Sequence, residues 1–379
     1  MANKWMQKLQ KLEGAVIEKK DIFSKTLGTP SPSVNFIFGK AGGLPFGYTA
    51  LLYGPTKGGK SVLSHMMIGW LHQNDPEAIA IKFDVEQRAD GQLDNDSMKL
   101  YGIDNERLQV VSTNSPSKIF DQIEKHIAAH CQNGAPIKLI VIDSVSAIRG
   151  RRGQETESVE SYTIGDHAQT IGIGLQRIQE VIRKYDIALV LICQARAEMD
   201  MNEQKRGNKF KMQAGFALQH FCEYFIVVEA NKNKEGRQDI LGNDLVAEGL
   251  TDLAGKGEQT GMKIRAKMKD SNMGPKGRTA EFTFDFHKGL VNVHEEVFKL
   301  GVNRGIVDRP NNLMYGFGGK SWKGKEQFLE ALKTDKALCA GILAELKRRD
   351  WAGEFKASDA AAEKAAERIL DDEDEDEDD

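Results

Sequence analysis

The sequence predicts an α/β fold, a mostly parallel central sheet covered by helices on both faces, with a short helix before it and a small α/β domain after it. Three observations predict it. From residue 48 onward, runs rich in β-branched residues alternate with segments of helical period. The earlier runs are almost continuously apolar, as strands buried on both faces require. A glycine-rich loop sits between the first run and the first long helix. At 379 residues the chain is long enough for one large domain and smaller attachments.

Taken in order, residues 3–17 place Trp5, Leu9, Leu12 and Val16 on one helical face, suited to packing on its own domain or on a neighbouring subunit. Residues 28–33 form a turn-rich junction. Strands are then expected at 48–54, 78–83, 108–112, 137–143, 187–194, 223–230, 261–268 and 279–286, and helices at 61–73, 117–130 and 173–185. The late strands have short or polar connections and suit an antiparallel extension of the sheet. Two long polar segments, 195–215 and 231–259, break the rhythm and read as loops. The expected organisation is an oligomerisation segment over 1–30, a core over 31–288, a small domain over 289–356 and an acidic, disordered tail over 357–379.

Composition narrows the function classes. Four cysteines, at 131, 193, 222 and 339, form no ligand-spaced set, so neither a disulfide framework nor a zinc site is expected. The longest apolar stretches, Leu139–Ile142 and Ala188–Cys193, are too short for a bilayer, and the first residues lack a secretory signal pattern. A cytoplasmic protein with no membrane partner is the expectation. Residues 371–379 are all acidic; without those nine negative charges the net charge of −4 becomes +5. The tail reads either as a screen for a basic surface or as a solubility device.

The chemistry begins at Gly54, Pro55, Thr56, Lys57, Gly58, Gly59, Lys60 and Ser61, which fit the P-loop pattern between a strand and a helix. Glycines let backbone N–H groups curl around phosphate, and the helix start adds positive dipole. Lys60 is expected on the β- and γ-phosphates of ATP, and Ser61 on Mg2+. The strand 137–143 ends in Asp143, the second expected magnesium ligand. Hydrolysis also needs a group that aligns water. Glu86, after the strand 78–83, is the candidate at the carboxyl edge of the sheet, with Asp84 as the competing assignment.

With these landmarks the chain resembles bacterial RecA and related phage recombinases over roughly residues 30–350. Residues 41–47 match that family's lead-in to the first core strand. Asp84, Val85 and Glu86 match its catalytic glutamate motif, and Ile142, Asp143 and Ser144 its magnesium strand. Ile164, Gly165 and Asp166 lie where its first DNA loop ends. Gln194, Ala195 and Arg196 match the segment whose glutamine senses the γ-phosphate and opens the second DNA loop. The resemblance implies that Lys267 and Lys269 reach the neighbouring subunit's ATP. It implies adenine stacking near Ser97, with Tyr101 as a substitute, and it places Ala214 and Gly215 at the end of the second loop.

For DNA, the second loop offers Arg196, Lys205, Arg206, Lys209 and Lys211, with Met199 where the family wedges an aliphatic side chain between bases. Arg183, with Arg177, is expected to touch backbone from the helix after the first loop, and Arg149, Arg151 and Arg152 form a basic run before it. The implied activity is a DNA-dependent ATPase that forms a helical homo-oligomeric filament on single-stranded DNA and exchanges it with duplex DNA. Single-strand-binding and loader proteins are the expected helpers. A hexameric helicase and a nucleotide-gated scaffold with little turnover are the alternatives. The lead-in, the lysine pair and the small domain argue against the first; Glu86 with Gln194 argues against the second.

Overall fold

The computed structural model describes residues 23–87, 95–148, 164–199, 201, 210–212, 217–230, 261–311 and 313–352. A two-residue pair, β1 (Thr26–Leu27) with β2 (Leu44–Pro45), flanks the short helix α1 (Pro32–Ile37). The main sheet then begins with β3 (Thr49–Gly54), followed by α2 (Lys60–Asn74), β4 (Ile79–Asp84), α3 (Asn95–Tyr101) and β5 (Leu108–Ser112). A helical stretch runs through α4 (Pro116–Asp121) and α5 (Ala128–Gln132) to β6 (Ile137–Asp143). Helix α6 (Ile164–Lys184), β7 (Ala188–Ala197), β8 (Phe210–Met212), α7 (Ala217–Phe221) and β9 (Tyr224–Ala230) follow.

Strands β5, β4, β6, β7, β3 and β9 lie side by side in that order and run parallel. Three antiparallel strands extend the β9 edge: β10 (Gly261–Ser271), β11 (Thr279–Asp285) and β12 (Gly289–Val291). This is the mixed sheet expected from the late strands. The crossover from β3 to β4 skips two positions, which β6 and β7 later fill. Order reversal of this kind leaves a crevice at the carboxyl ends of the strands, where open α/β sheets take ligands.

Both faces are buried along the central strands β3, β4, β6 and β7, which explains why these read as nearly unbroken apolar runs. Ala50, Leu52, Ala80, Leu139, Val141, Val190 and Ile192 pack on one face against Leu63, Met66, Met67 and Leu71 of α2. Their neighbours Leu51, Ile81, Phe83, Ile140, Ile142, Leu189 and Leu191 pack on the other against Ile171, Leu175, Ile178 and Ile182 of α6. Each Val, Leu, Ile, Phe or Met among them contributes roughly 1.5–3 kcal/mol by burial. The spacing of the α6 residues keeps one helical stripe on the sheet.

The small domain holds α8 (Val293–Asn303), the antiparallel strands β13 (Asp308–Asn311), β14 (Met314–Phe317) and β15 (Lys320–Lys323), α9 (Lys325–Thr334) and α10 (Lys336–Ala352). Its core centres on Phe298, Tyr315, Phe328 and Ile342, and Phe36 from α1 inserts into it. Two polar contacts fix the junction. Arg278 grips Asp350 in a buried ion pair and donates to the Phe36 carbonyl at 2.9 Å. Glu296, 5% exposed, accepts from Ser31 Oγ at 2.5 Å, Ser33 Oγ at 2.5 Å and Ser33 N at 3.1 Å through one oxygen, Oε2. Among the described residues no helix is long and apolar enough to cross a membrane. The helix expected at 3–17, the basic run at 149–152, the segment 231–259 and the tail 357–379 lie outside the described residues.

Candidate nucleotide and nucleic-acid site

The P-loop leaves β3 at its carboxyl end and enters α2 directly. Its glycines are demanded by close approach. A Cβ on Gly54 would sit 2.0 Å from the Val228 carbonyl oxygen, and one on Gly59, at φ +89°, would sit 2.7 Å from Ile264 Cδ1. Strands β9 and β10 thus press the loop into shape. Pro55, Thr56, Lys57 and Gly58 complete the turn, with Gly58 N donating to the Pro55 carbonyl at 3.1 Å. Lys60, 7% exposed, curls back and donates to the carbonyls of Gly54 at 3.0 Å and Pro55 at 2.6 Å. Its ammonium therefore lies inside the loop, where a phosphate bound by the backbone would meet it.

Strand pairing brings the acids to the same edge. Asp84 on β4 lies in register with Asp143 on β6. Ser61 Oγ donates to Asp143 Oδ2 at 3.1 Å. A hydroxyl and a carboxylate at this separation are hard oxygen donors of the kind magnesium takes alongside phosphate oxygens and water. Among the described residues no group of three or more His, Cys, Asp or Glu is placed to hold a metal ion. A magnesium ion here would rest on Ser61, Asp143 and the nucleotide's own oxygens, and the loop and donor set fit that arrangement.

Glu86 follows two residues after β4. Its Oε1 accepts from Ser144 Oγ at 2.7 Å and from Gln194 Nε2 at 2.7 Å. Ser144 spends its only hydrogen on Glu86, so in the 2.8 Å contact between Ser144 and Ser146 the donor is Ser146. Ser146 Oγ in turn accepts from Gln194 N at 3.1 Å. Glu86, Ser144, Ser146 and Gln194 therefore close a ring in which Gln194 donates at both ends and Glu86 accepts at both. Of the residues the motifs single out, the structure joins Ser61 to Asp143 and Glu86 to Gln194 by hydrogen bonds, with Lys60 immediately before Ser61 and bonded back to the loop. The sequence names Ser144 only as part of the magnesium-strand match and gives it no role, and it singles out nothing at Ser146; their place just after a strand-ending acid is the one signal that marks them.

Lys82 and His65 were also missed. Lys82 on β4 is 5% exposed, its Nζ 3.0 Å from His65 Nε2 and 3.6 Å from Asp143 Oδ2. Burial, reinforced by the neighbouring ammonium, pushes the His65 imidazole well below its ordinary pKa, so the ring is neutral and its Nε2 accepts. The signal in the sequence was a lone charge inside an otherwise apolar strand.

Gln194 also marks where β7 leaves the body of the sheet. The segment after it was read as a loop, but Ala195, Arg196 and Ala197 continue the strand and pair antiparallel with Met212, Lys211 and Phe210 of β8. Arg196 and Lys211 face each other directly across this ladder and are both exposed. Like charges placed opposite one another are unfavourable unless an anion lies over them. Met199 is 87% exposed beyond this pair. Lys205, Arg206, Lys209 and Gly215 lie outside the described residues. Lys267 alternates on β10 with Ala266 and Met268, which are buried, so its side chain leaves the opposite face; Lys269 falls at a register shift between Met268 and Asp270 and is half-buried.

Three expectations need correction. Arg183 is in the last turn of α6, about 28 Å along the helix from its start at 1.5 Å per residue. It pairs with Glu223 at 3.3 Å, and Glu223 Oε2 accepts from Thr49 N at 2.9 Å, at the start of β3 and therefore at the opposite edge from the P-loop. Arg183 is a structural ion-pair partner here, not a companion of Arg196. Arg177 is held by Asp121 and Glu124. Tyr101 does not offer a face to adenine. It stacks on Phe284 with ring centroids 4.8 Å apart and meets His65 edge-on, and burial raises its hydroxyl pKa to about 12.

Comparison with known proteins agrees with this architecture. Residues 9–291 match the family model of the RecA N-terminal domain. The chain is 25% identical over 341 residues to protein RecA of Helicobacter hepaticus, covering 90% of this chain and 88% of that protein. It is 28% identical over 322 residues to protein RecA of Mycoplasma genitalium, with 84% of each covered.

Proposed function

The chain belongs to the RecA family, and from that premise we propose that it is a DNA-dependent ATPase that forms helical filaments on single-stranded DNA and catalyses homologous pairing and strand exchange in recombination and repair. One observation supports this above the rest. Glu86 shares a hydrogen bond with Gln194, and the strand that carries Gln194 runs straight on into a hairpin with Arg196 opposite Lys211. Nucleotide chemistry and an anion-seeking hairpin are thus two residues apart.

In this reading Lys60 exchanges its carbonyl partners for the β- and γ-phosphates of ATP. Magnesium, held by Ser61 and Asp143, would supply charge neutralisation on the phosphate oxygens. Glu86 orients and deprotonates the attacking water. Gln194 turns from Glu86 toward the γ-phosphate, which biases the hairpin between two arrangements. Lys267 and Lys269 complete the pocket of a neighbouring protomer. Arg196, Lys205, Arg206, Lys209 and Lys211 bind phosphate, Met199 wedges between bases, and Gly215 closes the loop. The acidic tail competes with DNA for basic surface, so deleting 371–379 should ease duplex binding most at low salt.

Two measurements test the proposal. ATP turnover should rise on adding single-stranded DNA, and electron microscopy with an ATP analogue and single-stranded DNA should show filaments. Rings, or turnover indifferent to DNA, would overturn it.

A further inference from the structure

Lys82 has no part in the chemistry above, yet it occupies a costly position. A lysine with 5% exposure is rarely tolerated without partners. Here its two partners are the neutral His65 ring at 3.0 Å and the Asp143 carboxylate at 3.6 Å. His65 lies on α2 five residues after Lys60, and Lys82 lies on β4 two residues before Asp84, so helix and strand together fix the ammonium beside Asp143. Asp143 Oδ2 is the same oxygen that accepts from Ser61. The oxygen offered to a divalent cation is therefore already shared with an internal cation.

We propose that Lys82 is a positioning residue for metal uptake: it holds Asp143 in place and opposes a bare divalent cation, so that the metal enters only with the triphosphate. This rests on the reading of Ser61 and Asp143 as the magnesium ligands. The physical basis is charge balance around two buried ammonium groups, Lys60 and Lys82, beside a solvent-facing Ser61. Asp84, Asp143 and Glu86 supply negative charge; Lys60 and Lys82 offset most of it. A dication arriving alone meets two ammonium groups that are themselves largely out of water, so the like-charge repulsion is only partly screened. A triphosphate brings enough negative charge to cancel both ammonium groups, and the metal then follows it. His65 makes the arrangement stable by accepting from Lys82 without adding charge.

The test uses Mn2+ as the probe, counted by loss of the free-ion electron paramagnetic resonance signal, with the full-length chain. Wild type should take up Mn2+ with a nonhydrolysable ATP analogue and bind it at least roughly tenfold more weakly without. Lys82→Gln keeps a hydrogen for His65 but loses the charge, and should close about tenfold of that gap by tightening Mn2+ alone. Lys82→Arg should reopen it, which a purely steric role would not do. An unchanged gap in Lys82→Gln overturns the proposal. Failure of wild type to take up Mn2+ even with the analogue, or uptake indifferent to Asp143→Asn, instead overturns the reading of the metal site. Should Lys82→Gln fail to fold, melting of wild type decides. Mg2+ alone should leave the melting temperature unmoved, and a rise that Asp143→Asn abolishes sinks the idea.

Discussion

Replacing Glu296 with glutamine should make the protein more stable at pH 8 and leave it little changed near pH 5. Burial is the main cause that raises this carboxyl from 4.5 to about 7; Ser31 and Ser33 pull the other way, and Glu295 adds a smaller upward push. Its Oε2 takes three hydrogen bonds while its buried Oε1 takes none. The folded state therefore binds the proton more tightly than the unfolded chain does. The contribution of the protonated group to stability is complete below about 4.5 and is lost as pH rises through about 7. A difference of 2.5 units between those two values corresponds to about 3 kcal/mol at most. Glutamine can still accept from both serines, and its amide stands where Oε1 has no partner, so any offset it introduces is the same at every pH. The assay is urea unfolding of wild type and Glu296→Gln, followed by circular dichroism between pH 5 and pH 8.5. A stability difference that stays constant across that range refutes the reasoning, because only the charge of Glu296 separates the two proteins in a pH-dependent way.

Other consequences follow from the same geometry. Glu86→Gln keeps the partners Ser144 and Gln194 in reach but removes the base, so turnover should fall about 10²–10⁴-fold while binding of a fluorescent ATP analogue persists. Arg196→Ala should weaken single-stranded DNA binding and reduce the slope of log K against log salt by about 0.7, the value of one lost phosphate contact; an unchanged slope in a titration series removes this residue from the interface. Asp350→Ala strands the Arg278 guanidinium in a site where it is 12% exposed and should cost about 3–5 kcal/mol by denaturant unfolding, whereas the pair Arg278→Met with Asp350→Leu should cost clearly less.

The sheet was legible because its central parallel strands are almost entirely apolar on both faces and bounded by glycine or a polar turn. The P-loop, Asp143 and Glu86 were legible because each ends or follows such a strand, and the carboxyl edge of a parallel sheet gathers strand ends in one place. What escaped depends on partners far apart in the chain. Lys82 meets Asp143 only because β4 and β6 become neighbours with Asp84 opposite Asp143. Arg183 was misjudged because periodicity finds a helix without saying which end of the sheet its last turn reaches; the Glu223 contact says so. Tyr101 looked like a free aromatic, and its stacking on Phe284 comes from a strand more than 180 residues later. Residues 195–197 have little strand propensity of their own and become strand by pairing with β8.

That pairing also bears on how a signal could pass from phosphate to DNA without breaking the sheet. Gln194 is bound twice, by its side chain to Glu86 and by its backbone N to Ser146. Its register partner Gly54 is the first residue of the P-loop, so β7 is anchored to the loop at that level. If the side chain of Gln194 changes partner, the backbone bond to Ser146 and the ladder to β3 keep the strand seated, and the disturbance is confined to side chains on one edge. Such a change costs one exchanged hydrogen bond, of order 1 kcal/mol, rather than the unzipping of a parallel ladder. The hairpin beyond it is the weaker element: it pairs through three residues on each side and sets Arg196 against Lys211. A small bias at Gln194 is therefore expected to act where the ladder is shortest and the charge repulsion greatest, and an anion laid across those two cations would act on the same element from the other side.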